Sequence, residues 1–262
     1  MGGAAEQGFF QIASQFAQVS LLATVSILNI FWKEIADARA KNDHARVERL
    51  YKNINRGLVM FGTVIAGFLL PWSERIVTIL LGAAYVKAWP VLAIMLLYPI
   101  HQSMGQIGGT MFLASGDTKK YMLVGILNML IFLPITYLLL APASNAFISG
   151  LGLGAIGMAS QTVISNAIGV NIQAWVIART GGWKFDWVYQ VIGIPLILGL
   201  GFLAKFLVGL HWNLGDVSML GILPPVIVAG VLYAIFAILT IWIFPWLIGM
   251  ERDEIKNFCR IG

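Results

Sequence analysis

The chain has 262 residues, of which 59% are hydrophobic and only 11% charged, and its net charge is +5 at pH 7. Soluble domains carry about 25% charged residues. This composition therefore excludes a soluble enzyme, which would have too few charged side chains to cover its surface. The single cysteine, Cys259, excludes a disulfide framework and a cysteine metal site within the chain. The positive charge suits either nucleic acid or an anionic membrane face, and its distribution decides between them.

Seven segments are long and apolar enough to cross lipid as helices, which takes about 20 residues each. The sequence therefore predicts an all-α, polytopic transmembrane bundle that forms one lobe over 1–262. Pro71 breaks the second span, and we expect residues 73–85 to lie along the membrane interface. The predicted spans are 8–32, 57–80, 88–113, 121–141, 153–179, 187–209 and 221–249.

Basic residues concentrate on one side of this bundle. The connections that alternate with the spans place 14 of the 17 lysines and arginines on the same face, which the positive-inside rule makes cytoplasmic. The carboxyl terminus is then cytoplasmic and the amino terminus outside, and nucleic acid is excluded as the partner. An outside start without a visible signal peptide predicts that the chain is a fragment or half of a larger transporter. The 14 residues are Lys33, Arg39, Lys41, Arg46, Arg49, Lys52, Arg56, Lys119, Lys120, Arg179, Lys184, Arg252, Lys256 and Arg260.

Amides and hydroxyls recur at helical spacing inside three of the spans. Polar groups within a membrane mark a bundle interior or a wet cavity, and one helix face carries residues spaced by three or four. We therefore predict that the three stripes line a hydrophilic cavity, where amides hydrogen-bond sugar hydroxyls. The alternative is that they only join helices, with Gly105 and Gly109 as a small-residue contact. The candidate cavity residues are Gln11, Gln15, Gln18, His101, Gln102, Gln106, Thr162, Asn166 and Gln173.

The few charges within or beside the spans limit the chemistry further. Arg75 and Lys87 flank the interfacial segment near the outer face, where they either receive a phosphate or are solvated. Lys205 lies about one turn from the outer end of its span, so we expect it to snorkel outward. His101 has no neighbouring ligand for a metal. Because the span interiors lack Asp and Glu, a carboxylate proton relay is not expected.

Motifs of soluble enzymes do not fit the pattern. Gly152, Gly154 and Gly157 spell GxGxxG, but no strand precedes them and a membrane helix follows, so we interpret them as a tight turn and a close helix contact. The chain contains no serine elbow, HExxH or phosphate loop. We therefore predict no catalytic residues and no cofactor.

Four segments resemble polysaccharide-type flippases of the multidrug/oligosaccharidyl-lipid/polysaccharide exporter superfamily, in the lipid-linked oligosaccharide branch. The opening AEQGFFQIASQF, with its basic inner loop, resembles their eighth helix and the loop after it. LLGAAYVKAWPVLAIML is similar to their short element before the tenth helix, and FLASGDTKKYMLVGILN to their inner turn and Asn-bearing helix. LGLGAIGMASQTVISNAIG is similar to their Gly-rich entry into the twelfth helix. The likeness covers about residues 4–180, and 187–249 agree by position.

The resemblance implies helices eight to fourteen of a 14-helix flippase in a bacterial cytoplasmic (inner) membrane, without the amino-terminal lobe. It implies that two lobes rock about a cavity and carry an undecaprenyl-type lipid-linked sugar past the membrane lipid, for cell-surface polysaccharide export. In the family the last two helices can form a groove for the lipid chain. Family cavities often carry several basic residues, which these spans lack, so diphosphate contacts fall to Arg75, Lys87 or the absent lobe. The alternatives are a drug/cation antiporter of the same superfamily and a membrane glycosyltransferase or polymerase.

Overall fold

A computed structural model describes residues 3–19, 21–145, 148–212, 214 and 221–250. Over these residues the chain is helical and contains no β-strand, which confirms the all-α class. The tail residues Arg252, Lys256, Cys259 and Arg260, and most of the connection 210–220, lie outside the described residues. The α-helices in this part of the chain are α1 Ala4–Val19, α2 Leu22–Ala40, α3 His44–Leu69, α4 Ser73–Leu81, α5 Trp89–Met95, α6 Tyr98–Ala114, α7 Thr118–Leu140, α8 Gly154–Gly181, α9 Val188–Gly209 and α10 Leu223–Ile243.

Five helical segments among the described residues are long and apolar enough to cross a membrane. They are His44–Leu81, Ala83–Ala114, Thr118–Leu140, Val188–Gly209 and Leu223–Ile243. These lengths and compositions are those of a membrane protein with several transmembrane helices. They correspond to five of the predicted spans. Most of their ends differ from the predicted ends by a few residues, but the first segment begins at His44 rather than at residue 57.

The other two predicted spans, 8–32 and 153–179, are not among these five. The first is divided at Leu21 into α1, which has only 16 residues, and α2, whose last turns carry charged side chains. The second coincides with α8, which has 28 residues but carries many amides and hydroxyls. Span 8–32 thus differs from the continuous helix that the sequence predicts.

The helix break predicted at Pro71 is confirmed. Residues Leu70–Trp72 form a 3₁₀ turn between α3 and α4, and a second 3₁₀ segment, Ala83–Ala88, leads into α5. Lys205 of α9 donates a hydrogen bond to the carbonyl oxygen of Pro71 at 2.6 Å and lies 5.1 Å from the ring centroid of Trp72. This lysine, which we expected to snorkel outward, thus binds backbone at the break.

A charged hairpin joins α2 to α3. The Asp43 carboxylate accepts a hydrogen bond from the Arg46 amide at 2.9 Å and caps the amino end of α3. The Arg46 guanidinium donates to Glu34 and to Asp37, and so ties the two helices together. The Lys41 ammonium, which donates to Asp37, and the charge of Arg46 lower the pKa of the Asp37 carboxyl. The predicted polar connection is therefore mostly helix with one short turn.

The amino end of α8 follows the glycine motif. Gly152 and Gly154 have φ of +60° and +53°, a conformation that glycine adopts freely. A β-carbon on Gly157 would lie 2.9 Å from the carbonyl oxygen of Leu139 in α7. The interpretation of GxGxxG as a turn and a close helix contact is confirmed. The Glu6 carboxylate of α1 then accepts a hydrogen bond from the Ala155 amide at 2.7 Å and caps α8.

Arg56 connects three separate parts of the chain. Its guanidinium makes a two-point ion pair with Asp186, Nε to Oδ2 at 2.6 Å and Nη2 to Oδ1 at 2.9 Å. The third nitrogen donates to the carbonyl oxygen of Trp246 at 2.6 Å. The ring of Tyr189 lies 5.5 Å away. Arg56 therefore joins α3 to the connection before α9 and to the 3₁₀ segment Pro245–Ile248.

Candidate functional site

The glutamines of α1 lie on an exposed face. Gln11, Gln15 and Gln18 are all exposed, whereas Ala13 and Ala17 on the opposite side of the helix are buried. The buried alanines pack in a cluster with residues of α5 and α8. The sequence pattern thus correctly placed the three amides on one face, and the structure turns that face away from the core.

The predicted stripe on α8 is mostly engaged in packing. Gln173 is only 7% exposed, and its amide lies against Gly108 of α6, where a β-carbon would be 2.8 Å from the Gln173 side chain. Asn166 donates a hydrogen bond to the carbonyl oxygen of Tyr98 at 3.3 Å, and Thr162 donates to the carbonyl oxygen of Met158 at 2.8 Å. The Gln173 and Asn166 contacts reach α6 and favour the alternative that the stripe joins helices, whereas the Thr162 bond stays within α8.

The α6 candidates include one buried polar atom that has no hydrogen-bond partner among the described residues. Gln102 is half-buried, and the buried Oε1 of Gln106 has no hydrogen-bond partner among the described residues. Gly105 contacts α8 closely, since a β-carbon there would lie 2.8 Å from Val170, whereas Gly109 faces the Tyr121 hydroxyl. An unpaired buried acceptor is costly in a packed helix pair. Gln106 is therefore the α6 candidate whose polar atom the surrounding protein leaves unsatisfied.

Sequence reasoning missed two members of a polar cluster that lies in predicted spans. The Gln190 amide of α9 and the Asn171 amide of α8 hydrogen-bond to each other in both directions, at 3.0 and 3.2 Å. The Nε2 of His101 lies 3.2 Å from the Gln190 Oε1. This cluster joins α6, α8 and α9. Both amides lie in predicted spans, and a polar side chain within a span is already a reason to treat the residue as a candidate.

The nine predicted cavity residues do not form one hydrogen-bonded group. In the described ranges, no hydrogen bond joins two of them. The α1 helix contacts α8 and, to a smaller extent, α6, so the three helices are neighbours. The fold thus places the exposed amide face of α1 beside α6 and α8, whose amides are half-buried or buried.

The two cations predicted to lie near the outer face are in different settings. Arg75 donates a hydrogen bond to the carbonyl oxygen of Leu214 and is half-buried. Lys87 is exposed on the 3₁₀ segment before α5. Lys87 is thus the more accessible of the two for a phosphate.

Comparisons with protein-family models, with curated proteins and with solved structures found no match to this chain. The flippase resemblance therefore remains an expectation from sequence motifs. The function has to be argued from the membrane helices and from the polar face of α1.

Proposed function

We propose that this protein translocates a lipid-linked oligosaccharide across the bacterial cytoplasmic membrane by alternating access. The observation that carries the proposal is the glutamine face of α1. Gln11, Gln15 and Gln18 are exposed in a chain that has only 11% charged residues. Amides are unfavourable against acyl chains because their hydrogen bonds go unmade there. A wet passage satisfies them, and neutral amides are suited to sugar hydroxyls.

The proposal includes two further crossings, the α1–α2 segment and α8, which give about seven spans. The mixed composition of these two segments is typical of helices that line a polar passage rather than face lipid on all sides. With α8 crossing, the connection before α9 lies on the same side as the α2–α3 hairpin. That side carries the excess of basic residues and is assigned to the cytoplasm.

A lipid-linked sugar also carries phosphate, and this chain supplies few cations for it. Lys87 is the exposed candidate at the outer end. Arg75 already donates to the Leu214 carbonyl oxygen, so it would have to exchange that bond for a phosphate. We propose that sugar contacts from α1, rather than phosphate contacts, are the main contribution of this lobe.

The experiment is deletion of the chromosomal gene and complementation with the natural gene or its variants. We expect lipid-linked oligosaccharide to accumulate on the cytoplasmic leaflet after deletion, and the natural gene to restore export. The double substitution Gln11→Leu with Gln15→Leu is expected to lower export at least ten-fold, because each lost amide contact contributes about 1 kcal/mol. Protein abundance in the membrane is measured in parallel.

A matched control is Ile126→Leu with Leu130→Ile on α7, at two exposed apolar positions with the same spacing. We expect it to export normally. Unchanged oligosaccharide in the deletion strain, together with altered drug resistance, would instead favour the antiporter. Loss of polymer with no accumulated lipid-linked unit would favour a glycosyltransferase or polymerase.

A further inference from the structure

An open crevice lies on the side of α8, at the connection to α9. It has a volume of 560 Å³, within the range of about 300–1,000 Å³ that is usual for ligand sites. Its lining is apolar except for one amide, Asn171, and that amide is bound to Gln190. The crevice therefore presents a mainly apolar wall along α8. The lining residues are Ala167, Ile168, Asn171, Ile172, Trp175 and Phe185.

Two cations lie at one end of this crevice. The Arg179 guanidinium is exposed and lies 6.0 Å from the ring centroid of Trp175, one helical turn earlier. Lys184 is exposed and immediately precedes Phe185, which lines the crevice. Both belong to the face with the basic excess. Positive charge at the membrane surface attracts anionic lipid headgroups.

The one acidic residue in this connection does not cancel that charge. Asp186 is held in the two-point ion pair with Arg56, and its side chain is only 19% exposed. The crevice end therefore keeps the charge of Arg179 and Lys184. The opposite end, toward Ala167, has no charged lining residue.

The lengths agree with a lipid placed alongside α8. Ala167 and Arg179 are twelve residues apart, which is about 18 Å along a helix. Trp175, 49% exposed, lies between the apolar wall and the cation, as interfacial tryptophans do at the headgroup level. An acyl chain can thus lie against Ile168 and Ile172 while its phosphate reaches Arg179.

We propose that this crevice binds one anionic phospholipid of the cytoplasmic leaflet, with the phosphate at Arg179 and Lys184 and an acyl chain along α8. The inference rests on the part of the proposed function in which α8 crosses the membrane with its carboxyl end inside. It does not depend on the transported substrate. The site lies on α8 and the connection before α9, away from the glutamine face of α1.

The test uses the full-length natural protein, purified in mild detergent and analysed by native mass spectrometry with phosphatidylglycerol or phosphatidylethanolamine. We expect one phosphatidylglycerol molecule to bind more tightly than phosphatidylethanolamine. Arg179→Gln should weaken phosphatidylglycerol binding roughly five-fold, which corresponds to about 1 kcal/mol per basic residue at a membrane surface. Lys33→Gln removes one exposed charge of the same face, far along the chain, and should leave binding unchanged.

A second variant tests the apolar half of the site. Ile168→Trp fills the crevice without a change of charge, so lipid binding should fall while the thermal unfolding temperature of the protein in detergent stays the same. Equal losses in Arg179→Gln and Lys33→Gln would overturn the site in favour of diffuse attraction. Equal binding of the two lipids, or a protein dimer that Ile168→Trp abolishes, would also overturn it. Transport is measured separately, so lipid binding can fail while export persists.

Discussion

Gly201 of α9 packs directly on Gly67 of α3. A β-carbon on Gly201 would overlap the carbonyl oxygen of Gly67, so the two backbones are in contact. Tyr233 of α10 donates a hydrogen bond to the nearby Val64 carbonyl oxygen at 2.9 Å. Close backbone approach of this kind is how helices associate in lipid, where burial of apolar surface gives little driving force.

This contact predicts that Gly201→Ala destabilises the protein. The added methyl group forces α9 away from α3, at a cost of about 1–3 kcal/mol. Gly199→Ala is the matched control, because a β-carbon there meets nothing within 4 Å. Thermal unfolding in detergent should show a lower midpoint for the first variant and not the second. Equal midpoints for the two would contradict the α3–α9 contact.

The Arg56–Asp186 pair predicts that substitutions at the two residues lower the stability of the protein non-additively. Because Arg56 uses three nitrogens in a fixed fork, Lys cannot replace it, and Arg56→Lys should cost about 1.5–3 kcal/mol of stability. Asp186→Asn should cost a similar amount, and the double variant should cost less than the sum. Chemical denaturation in detergent gives the three values. Additive costs would show that the pair contributes no coupling.

For comparison, Glu48 and Lys52 form an ion pair one turn apart on α3. Such partly exposed helical pairs contribute about 0.3–0.5 kcal/mol. Glu48→Gln should therefore change stability much less than Asp186→Asn.

The cap of α8 by Glu6 predicts local opening rather than global unfolding. Glu6→Gln weakens the hydrogen bond to the Ala155 amide and removes a negative charge from the helix amino end, at about 1 kcal/mol. Hydrogen exchange of the first turn of α8 should become roughly five-fold faster. Gln7→Ala, at the exposed next residue, should leave that exchange unchanged. Unchanged exchange in Glu6→Gln would contradict the cap.

The crossing of α8 can be tested by labelling. In a Cys259→Ser background, single cysteines are placed by Ser144→Cys and Lys184→Cys, both at exposed positions on either side of α8. If α8 crosses, an impermeant thiol reagent added outside cells labels the first and not the second. Lys41→Cys on the α2–α3 hairpin should behave like Lys184→Cys. Labelling of Ser144→Cys and Lys184→Cys from the same side would show that α8 does not cross.

Local chemistry made much of the fold predictable. A proline lacks the N–H that a helix hydrogen bond needs, so a break at Pro71 can be expected from the sequence, although Pro134 and Pro195 lie inside α7 and α9. The glycines before α8 could be interpreted correctly because positive φ and close approach are local demands. The glutamine face of α1 followed from helical spacing alone. The division at Leu21, which has no proline or glycine beside it, gave no such signal.

The sequence by itself determined the helical class and the five apolar segments that are long enough to cross a membrane. Both depend on residue types and on the length of each apolar run, which decide whether a helix can cross a bilayer. Only the tertiary structure decided that Gln173 packs on Gly108, that Lys205 binds the backbone at Pro71, and that Gln190 pairs with Asn171. Periodicity shows which residues share a face, but the partner of that face depends on how separate helices pack in three dimensions.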